Sequence, residues 1–182
     1  MIATGRLVLR AWKDDDLAPF AALNADPAVR EFFPGLLTKN ESDASVRRVQ
    51  SKIERYGFGM FAAELRATGE FIGFIGLDPM DFAIPGTAQP AVEIGWRLAR
   101  AHWGQGLATE GAQAVVEYAF ATLRLAEIVS ITVPANVRSR RVMEKIGMTH
   151  VPQLDFDHPR IAAGHPLRRH VLYLLRPSAS ST

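Results

Sequence analysis

The segment Trp103-Gly104-Gln105-Gly106 lies where an apolar strand pattern ends and a helical pattern begins. The first N–H groups of a helix have no partner within it and lie at the positive end of its dipole, so this junction favours binding of a phosphate or pyrophosphate. Glycine lets the anion approach because it has no Cβ. A dinucleotide fingerprint would need a third glycine where Thr109 stands, and the chain has no nucleoside-triphosphate loop motif. Taken alone, the motif leaves open a glycine-rich turn that only starts a helix.

A second pair of polar residues, Asn136 and Ser139, follows the next strand pattern. At helical spacing Ser139 shares a face with Val142 or Met143 and with Ile146, so its hydroxyl lies on the apolar side near the start of a helix. A polar group in that position needs a partner, which makes both residues candidates for ligand contact. The alternative is that Asn136 caps the helix and Ser139 provides a capping hydroxyl.

The elements that position these residues follow from the spacing of apolar side chains. Residues 59–66, 70–77 and 91–99 have strand patterns and form a predicted antiparallel meander. A helix over 104–123 and a strand over 127–133 follow, which predicts a β-α-β unit with two parallel neighbouring strands. The other predicted elements are a strand over 6–12, a helix that begins at 14–16, helices over 41–56 and 138–146, and a strand over 170–176.

Six stretches of the chain resemble the GNAT superfamily of acetyltransferases, and more closely its RimJ/RimL-like branch. They are, in order, RLVLR-x-W, FIGFIGL, VEIGWRL, WGQGLATE, the Asn-x-x-Ser helix that ends EKIGM, and HVLYLL. The resemblance implies an N-acetyltransferase with acetyl-CoA as cosubstrate and no metal. It also implies an α/β (α+β) fold, in which helices flank a mixed, mostly antiparallel central sheet with a parallel β-α-β unit at the cofactor site.

The resemblance further implies which residues bind coenzyme A. Main-chain groups of the 102–108 loop would hold the pyrophosphate, and strand 94–98 would pair with the pantetheine arm. Asn136 and Ser139 would line the arm and the thioester. Many members use a tyrosine to protonate the departing thiolate, but Met143 stands there and cannot donate a proton. The implied cofactor-binding residues are Ile94, Trp96, Leu98, His102, Trp103, Gly104, Gln105, Gly106, Leu107, Ala108, Asn136, Ser139 and Met143.

Glu93 and Ser139 are the candidate catalytic residues. On strand 91–99 Glu93 shares a face with Gly95 and Arg97, opposite the apolar stripe, and it can take the proton of an acceptor amine directly or through water. Ser139 would donate a hydrogen bond to the departing thiolate. An α-amine is about 10% neutral at pH 7 and a lysine amine under about 0.1%, which favours an α-amine acceptor such as a protein N-terminus. The alternative for Glu93 is a solvated strand carboxylate.

Length and composition limit the remaining classes. The 182 residues predict one acetyltransferase domain over 1–176 and a disordered tail over 177–182. No cysteine is present and the five histidines lack the spacing of a helical zinc site, so no metal is expected. A net charge of +2 argues against nucleic acid as the primary ligand. No stretch has the length of a membrane span or the pattern of a signal peptide, so a cytoplasmic protein is expected.

The acceptor side is less defined by the sequence. The loop with His158 and His165, and the aromatic pair Phe32 and Phe33, could border an acceptor pocket, with simple packing as the alternative for each. The acceptor is a small-molecule or peptide amine, and a homodimer stays open. Two alternatives to an acetyltransferase also stay open: a catalytically weak coenzyme-A-binding sensor and an unrelated anion-binding α/β protein.

Overall fold

The computed structural model describes residues 1–177, so residues 178–182 of the predicted tail lie outside the described residues. The strands are β1 (Ile2–Ala3), β2 (Leu7–Arg10), β3 (Met60–Leu65), β4 (Phe71–Pro79), β5 (Val92–Leu98), β6 (Ile128–Thr132), β7 (Thr149–His150), β8 (Phe156–Asp157) and β9 (Arg169–Leu175). The α-helices are α1 (Leu17–Ala25), α2 (Lys39–Tyr56), α3 (Leu107–Glu117) and α4 (Val137–Lys145).

The strands form one mixed sheet in the order β1-β2-β3-β4-β5-β6-β9-β7, and β8 pairs with β9. Strands β3, β4 and β5 are an antiparallel meander, as predicted. Strands β5 and β6 are parallel and are joined by α3, which is the predicted β-α-β unit. The prediction of a mixed, mostly antiparallel sheet flanked by helices is therefore confirmed.

The two faces of the sheet are covered by different helices. One hydrophobic cluster includes residues of α3 and α4, and a second includes residues of α1 and α2. Helix α3 lies very close to β4, since a Cβ added to Gly111 would overlap Ile75 Cδ1. A larger residue at 111 would push the helix away from the sheet. This close contact fixes the distance between α3 and β4.

Several boundaries differ from the predicted ones for local reasons. Helix α2 begins at Lys39 because Thr38 and Glu41 form a capping box, with the Glu41 N–H donating to Thr38 Oγ1 over 3.3 Å. Helix α3 is followed by a turn of π-helix, in which the Leu123 N–H donates to Tyr118 O, five residues earlier. The strands β1, β7 and β8 have two residues each, which is too short for any periodic pattern.

Candidate active site

A cleft of about 680 Å³ lies at the junction of β5 and β6, within the size range of small-molecule sites. Within the described residues, these two parallel strands pair at a single position, Glu93 with Val129. Next to it, Ser130 Oγ donates to Ile94 O over 2.9 Å. Beyond this point the strands separate, and we call the opening the β5–β6 split. The predicted site residues that line the cleft are Glu93, Trp96, Leu98, His102, Trp103, Gly104, Gly106, Leu107, Ala108, Asn136 and Ser139.

The main chain of β5 leaves hydrogen-bonding groups at the β5–β6 split. Just after β5, the Ala99 N–H points toward β4 and donates to Ile72 O. The Ile94 carbonyl points the other way, toward β6, and accepts from Ser130 Oγ. Because main-chain groups alternate in direction along a strand, Trp96 and Leu98 point theirs toward the split. Leu98 O is occupied by Trp103 Nε1 at 2.8 Å. The Trp96 groups and the Leu98 N–H are placed to pair with an extended chain.

The 103–106 loop presents N–H groups at the start of α3. Gly104 and Gly106 have φ angles of 75° and 77°, a region that favours glycine. The Gln105 carbonyl is held by Arg6 Nη1 at 2.9 Å, and Arg6 Nε also donates to Glu110 Oε2 at 2.6 Å. The helical ladder begins with the Glu110 N–H donating to Gly106 O, so the N–H groups of residues 107–109 have no partner within α3. This arrangement fits a bound pyrophosphate.

Two predicted loop residues use their side chains to hold the loop. Gln105 Nε2 donates to Ala101 O over 3.1 Å, and the Gln105 side chain does not line the cleft. His102 Nε2 lies 3.2 Å from Glu70 Oε1 while His102 also lines the cleft. Any contact of Gln105 with the cofactor would therefore come from its main chain.

Asn136 and Ser139 lie at the cleft, at the start of α4, where the Asn136 side chain caps the helix. Asn136 Oδ1 accepts from the Ser139 N–H at 3.2 Å, so Asn136 is an N-cap, and its Nδ2 donates to Thr132 Oγ1 at 3.0 Å. Among residues 1–177 no hydrogen bond of the Ser139 hydroxyl is found, which leaves it available to a ligand. Val142 follows Ser139 along the cleft, whereas Met143 turns inward.

Besides Gln105, two predicted cofactor-binding side chains do not line the cleft. Met143 and Ile94 are both fully buried in the cluster that contains α3 residues, with no exposed surface. Met143 is turned away because successive helical residues differ by about 100° in direction, so that Val142 takes the cleft side. Ile94 points into the core, and it borders the β5–β6 split through its main chain.

Glu93 has an unusual electrostatic environment. Burial raises the pKa of Glu93 to about 8, and the carboxylate of Asp78, its direct partner on β4, adds to the rise. The Ile131 N–H and the Lys52 ammonium act in the opposite direction. Lys52 Nζ is 2.7 Å from Asp78 Oδ1. Glu93 is half-buried and lines the cleft, so its carboxylate is less solvated than that of an exposed strand residue.

The cleft includes further residues on the acceptor side. His158 and Arg160 line it, as does the pair Phe32 and Phe33, whereas His165 does not. Several polar lining residues were not predicted as candidates. Ser130 and Thr132 lie within the strand pattern of β6, while Arg97, Arg141 and His170 lie inside the matched stretches, where no local pattern marks them as cleft residues.

His170 is a second group that could accept a proton. Its Nδ1 is 3.1 Å from Arg168 O, and since a carbonyl only accepts, Nδ1 carries the hydrogen and Nε2 keeps a lone pair. Burial lowers the pKa of His170, and the bond to Arg168 O opposes that effect. Burial also lowers the pKa of His158, whose ring centroid is 4.9 Å from that of His170. Both imidazoles therefore favour the neutral form.

Comparisons with known proteins agree with this architecture. Residues 6–149 match the family described as "Acetyltransferase (GNAT) domain". The uncharacterised protein YkkB of Bacillus subtilis (strain 168) is 36% identical over 148 residues, which is 81% of this chain and 84% of YkkB. FsC-acetyl coenzyme A-N(2)-transacetylase of Aspergillus fumigatus is 42% identical over 101 residues, 52% of this chain and 40% of that protein. A crystal structure of an acetyltransferase from Agrobacterium tumefaciens str. C58 has a TM-score of 0.78 at 28% identity, covering 96% of this chain and 93% of that one.

The chain therefore belongs to the GNAT acetyltransferase family, and it is an acetyl-CoA-dependent N-acetyltransferase. The β5–β6 split, the loop with its two glycines and the free N–H groups of α3 fit coenzyme A as the cosubstrate. Over residues 1–177 there is no group of three or more metal-binding side chains. Within the same residues no helix combines the length and apolar character needed to cross a membrane.

Proposed function

We propose that the protein acetylates the α-amine of a small molecule or peptide by direct attack, with Glu93 as the proton acceptor. The observation that supports this is the position of Glu93, which lines the cleft where β5 and β6 separate and has a pKa of about 8. A general base works best when its pKa is near the working pH. Acetyl-CoA supplies the thioester carbonyl that the amine attacks and the thiolate that leaves.

The pKa of Glu93 is matched to an α-ammonium group and not to a lysine side chain. Transfer of a proton from an α-ammonium with a pKa near ~8 to Glu93 is almost neutral in free energy. Transfer from a lysine ammonium with a pKa of about 10.4 is uphill by roughly 3 kcal/mol. The site is therefore better suited to an α-amine.

The amine preference can be tested with two acceptors of the same size. We expect a lysine amide whose ε-amine is blocked to give a kcat/KM about 100-fold higher than one whose α-amine carries the same blocking group, because its neutral fraction at pH 7 is larger by about that factor. The measurement is release of free thiol from acetyl-CoA. Equal values, or a faster ε-amine, would contradict the proposal. Binding of coenzyme A without thiol release from any amine would support the sensor alternative.

Ser139 is proposed to donate a hydrogen bond to the departing thiolate. Ser139→Ala should lower kcat about tenfold, because one hydrogen bond to the charge that develops on the thiolate is lost. The Kd of acetyl-CoA should change little, since Ser139 takes part in the α4 cap through its main-chain N–H, which alanine keeps. Ser139→Thr is the matched control, since it keeps the hydroxyl. The kcat is measured by thiol release and the Kd by calorimetry. An unchanged kcat in the alanine variant would remove Ser139 from the mechanism.

The sequence supports several further assignments that we put forward as proposals. The six matching stretches support placement in the RimJ/RimL-like branch, with residues 1–176 as a single unit. A cytoplasmic location and the absence of nucleic acid as the primary ligand stay predictions of the sequence, and a homodimer stays open. Of these proposals, the class of acceptor is the one that the residues lining the cleft support most directly.

A further inference from the structure

Arg97 is a half-buried cation in the cleft that has no acidic partner among the described residues. Its Nη1 donates to Asn24 Oδ1 over 2.8 Å, and its guanidinium carbon lies 4.1 Å from the centroid of the Phe33 ring. Its Nε is buried and forms no hydrogen bond within residues 1–177. Buried polar groups in native proteins nearly always have a partner, so an unpaired guanidinium at a cleft indicates a place for a ligand.

The orientation of Arg97 is fixed by groups that are themselves buried. Asn24 and Ser42 have no exposed surface, and Asn24 Nδ2 donates to Ser42 Oγ over 3.0 Å. This contact leaves Asn24 Oδ1 facing Arg97 Nη1. One edge of the guanidinium is thus held by the fold. On the other edge, neither Nε nor Nη2 has a hydrogen-bond partner within residues 1–177, and Nε has almost no exposed surface, so a carboxylate in the cleft would approach Nη2.

A second cation makes this end of the cleft more positive. The guanidinium carbon of Arg30 lies 4.5 Å from the centroid of the same Phe33 ring. Burial lowers the pKa of Arg97 to about 9, and the charge of Arg30 adds to the effect. The other cleft arginines differ, because Arg138 is 2.6 Å from Glu31, Arg160 is paired with Asp81, and Arg141 is exposed to solvent. Arg97 is therefore the cleft arginine whose charge would gain most from a bound anion.

We propose that Arg97 binds a carboxylate of the acceptor, so that the substrate is an α-amine that also carries a carboxylate, such as a short peptide. The inference deepens the proposed function and rests on it. Glu93 and Arg97 lie on the same face of β5, with about 13 Å between their Cα atoms. Both line the cleft, and their long side chains reduce the distance that a bound acceptor has to span. Arg97 would then position the amine near Glu93.

The test compares two dipeptides that differ only in a free or an amidated C-terminus. We expect wild-type kcat/KM to be about 10- to 100-fold higher for the free acid, the effect of a charged hydrogen-bonded pair. Arg97→Gln should bring the ratio of acid to amide close to one, and Arg97→Lys should keep part of the preference because it keeps the charge. Arg138→Gln removes the same charge from the cleft and is the matched control, which should leave the ratio intact.

Each outcome separates the inference from the proposed function. A wild-type ratio near one, or a ratio that Arg97→Gln leaves unchanged, overturns the carboxylate site while both peptides still count as α-amine acceptors. A higher kcat/KM for an amine with a phosphate group identifies phosphate as the anion and overturns the carboxylate assignment. If no peptide releases thiol, the proposed α-amine function fails as well. If the glutamine variant does not fold, Arg97→Lys supplies the test, because an acid preference that stays at full strength in that variant would also overturn the carboxylate site.

Discussion

Replacing Glu93 with glutamine is expected to lower kcat/KM for an α-amine by about 100-fold or more, the usual loss when a general base is removed. Glutamine has nearly the same shape, so the binding of acetyl-CoA should be unchanged. The measurement is thiol release under saturating acetyl-CoA, with calorimetry as the control for cofactor affinity. A kcat/KM that stays at the wild-type value would remove Glu93 as the base and leave His170 as the next candidate.

The pH dependence of the wild-type rate gives an independent test of the same residue. With a weakly basic α-amine whose own pKa is below about 7, the rate should rise with pH and level off above about 8, because Glu93 must lose its proton to act. Asp78→Asn should move this rise to lower pH, since the Asp78 charge raises the pKa of Glu93. Lys52→Met should move it to higher pH. Two shifts in the same direction would contradict this electrostatic arrangement.

At pH 8, Glu93→Gln should raise the melting temperature of the protein although it lowers the activity. Glu93 is protonated in both the folded and unfolded states below pH 4.5, and between 4.5 and about 8 only the unfolded state ionises readily. The raised pKa therefore costs stability as the pH rises through this window. Glu93→Gln should melt at a higher temperature than the wild type at pH 8, and the difference should disappear near pH 4. A variant that is less stable at both pH values would indicate a structural role.

The second large effect is expected at Gly104. Gly104→Asp should weaken coenzyme A binding by about 100-fold or more relative to Gly104→Asn, because a unit charge about 5 Å from a phosphate costs roughly 3 kcal/mol at an intermediate dielectric constant. Asparagine and aspartate have the same size and both tolerate a positive φ. A Cβ at this position meets no atom within 4 Å, so both variants should fold. The Kd values are measured by calorimetry.

Salt provides a further check on the Gly104 pair. The difference between the two Kd values should shrink as ionic strength rises, since salt screens the repulsion between the side chain and the phosphates. Equal Kd values at low salt would place the pyrophosphate somewhere other than on this loop. The thermal stability of both variants, measured without coenzyme A, shows whether any loss of binding comes from misfolding.

The parts of the fold that could be predicted are those specified by local patterns. Alternating apolar residues define β3, β4 and β5, and a strand followed by two glycines and a helical stripe defines the β-α-β unit. The sequence pattern could not separate Val142 from Met143 as the neighbour of Ser139, because both lie near the edge of the same helical face. Only the packing of α4 decides that Met143 is buried.

The electrostatic features of the site depend on contacts between distant residues, which no local pattern contains. The pKa of Glu93 depends on Asp78, which is placed opposite by the register of β4 and β5, and on Lys52 from α2. Arg97 depends on Asn24, which precedes it by 73 residues in the sequence. The sequence pattern therefore places Glu93 and Arg97 on one face of a strand. It does not show that the pKa of Glu93 is raised or that Arg97 has no acidic partner.

The β5–β6 split also bears on how the protein avoids unwanted association. A sheet edge with unpaired main-chain groups normally invites a strand from another protein chain, and such edges lead to aggregation when they are exposed. Here the unpaired groups of Trp96 and the Leu98 N–H form an edge inside the sheet, between β5 and β6 and next to Trp103 and α4. We expect these walls to hinder a polypeptide strand, which carries side chains on both faces. We therefore expect the interior position of this edge to protect it from the pairing that an outer edge would allow.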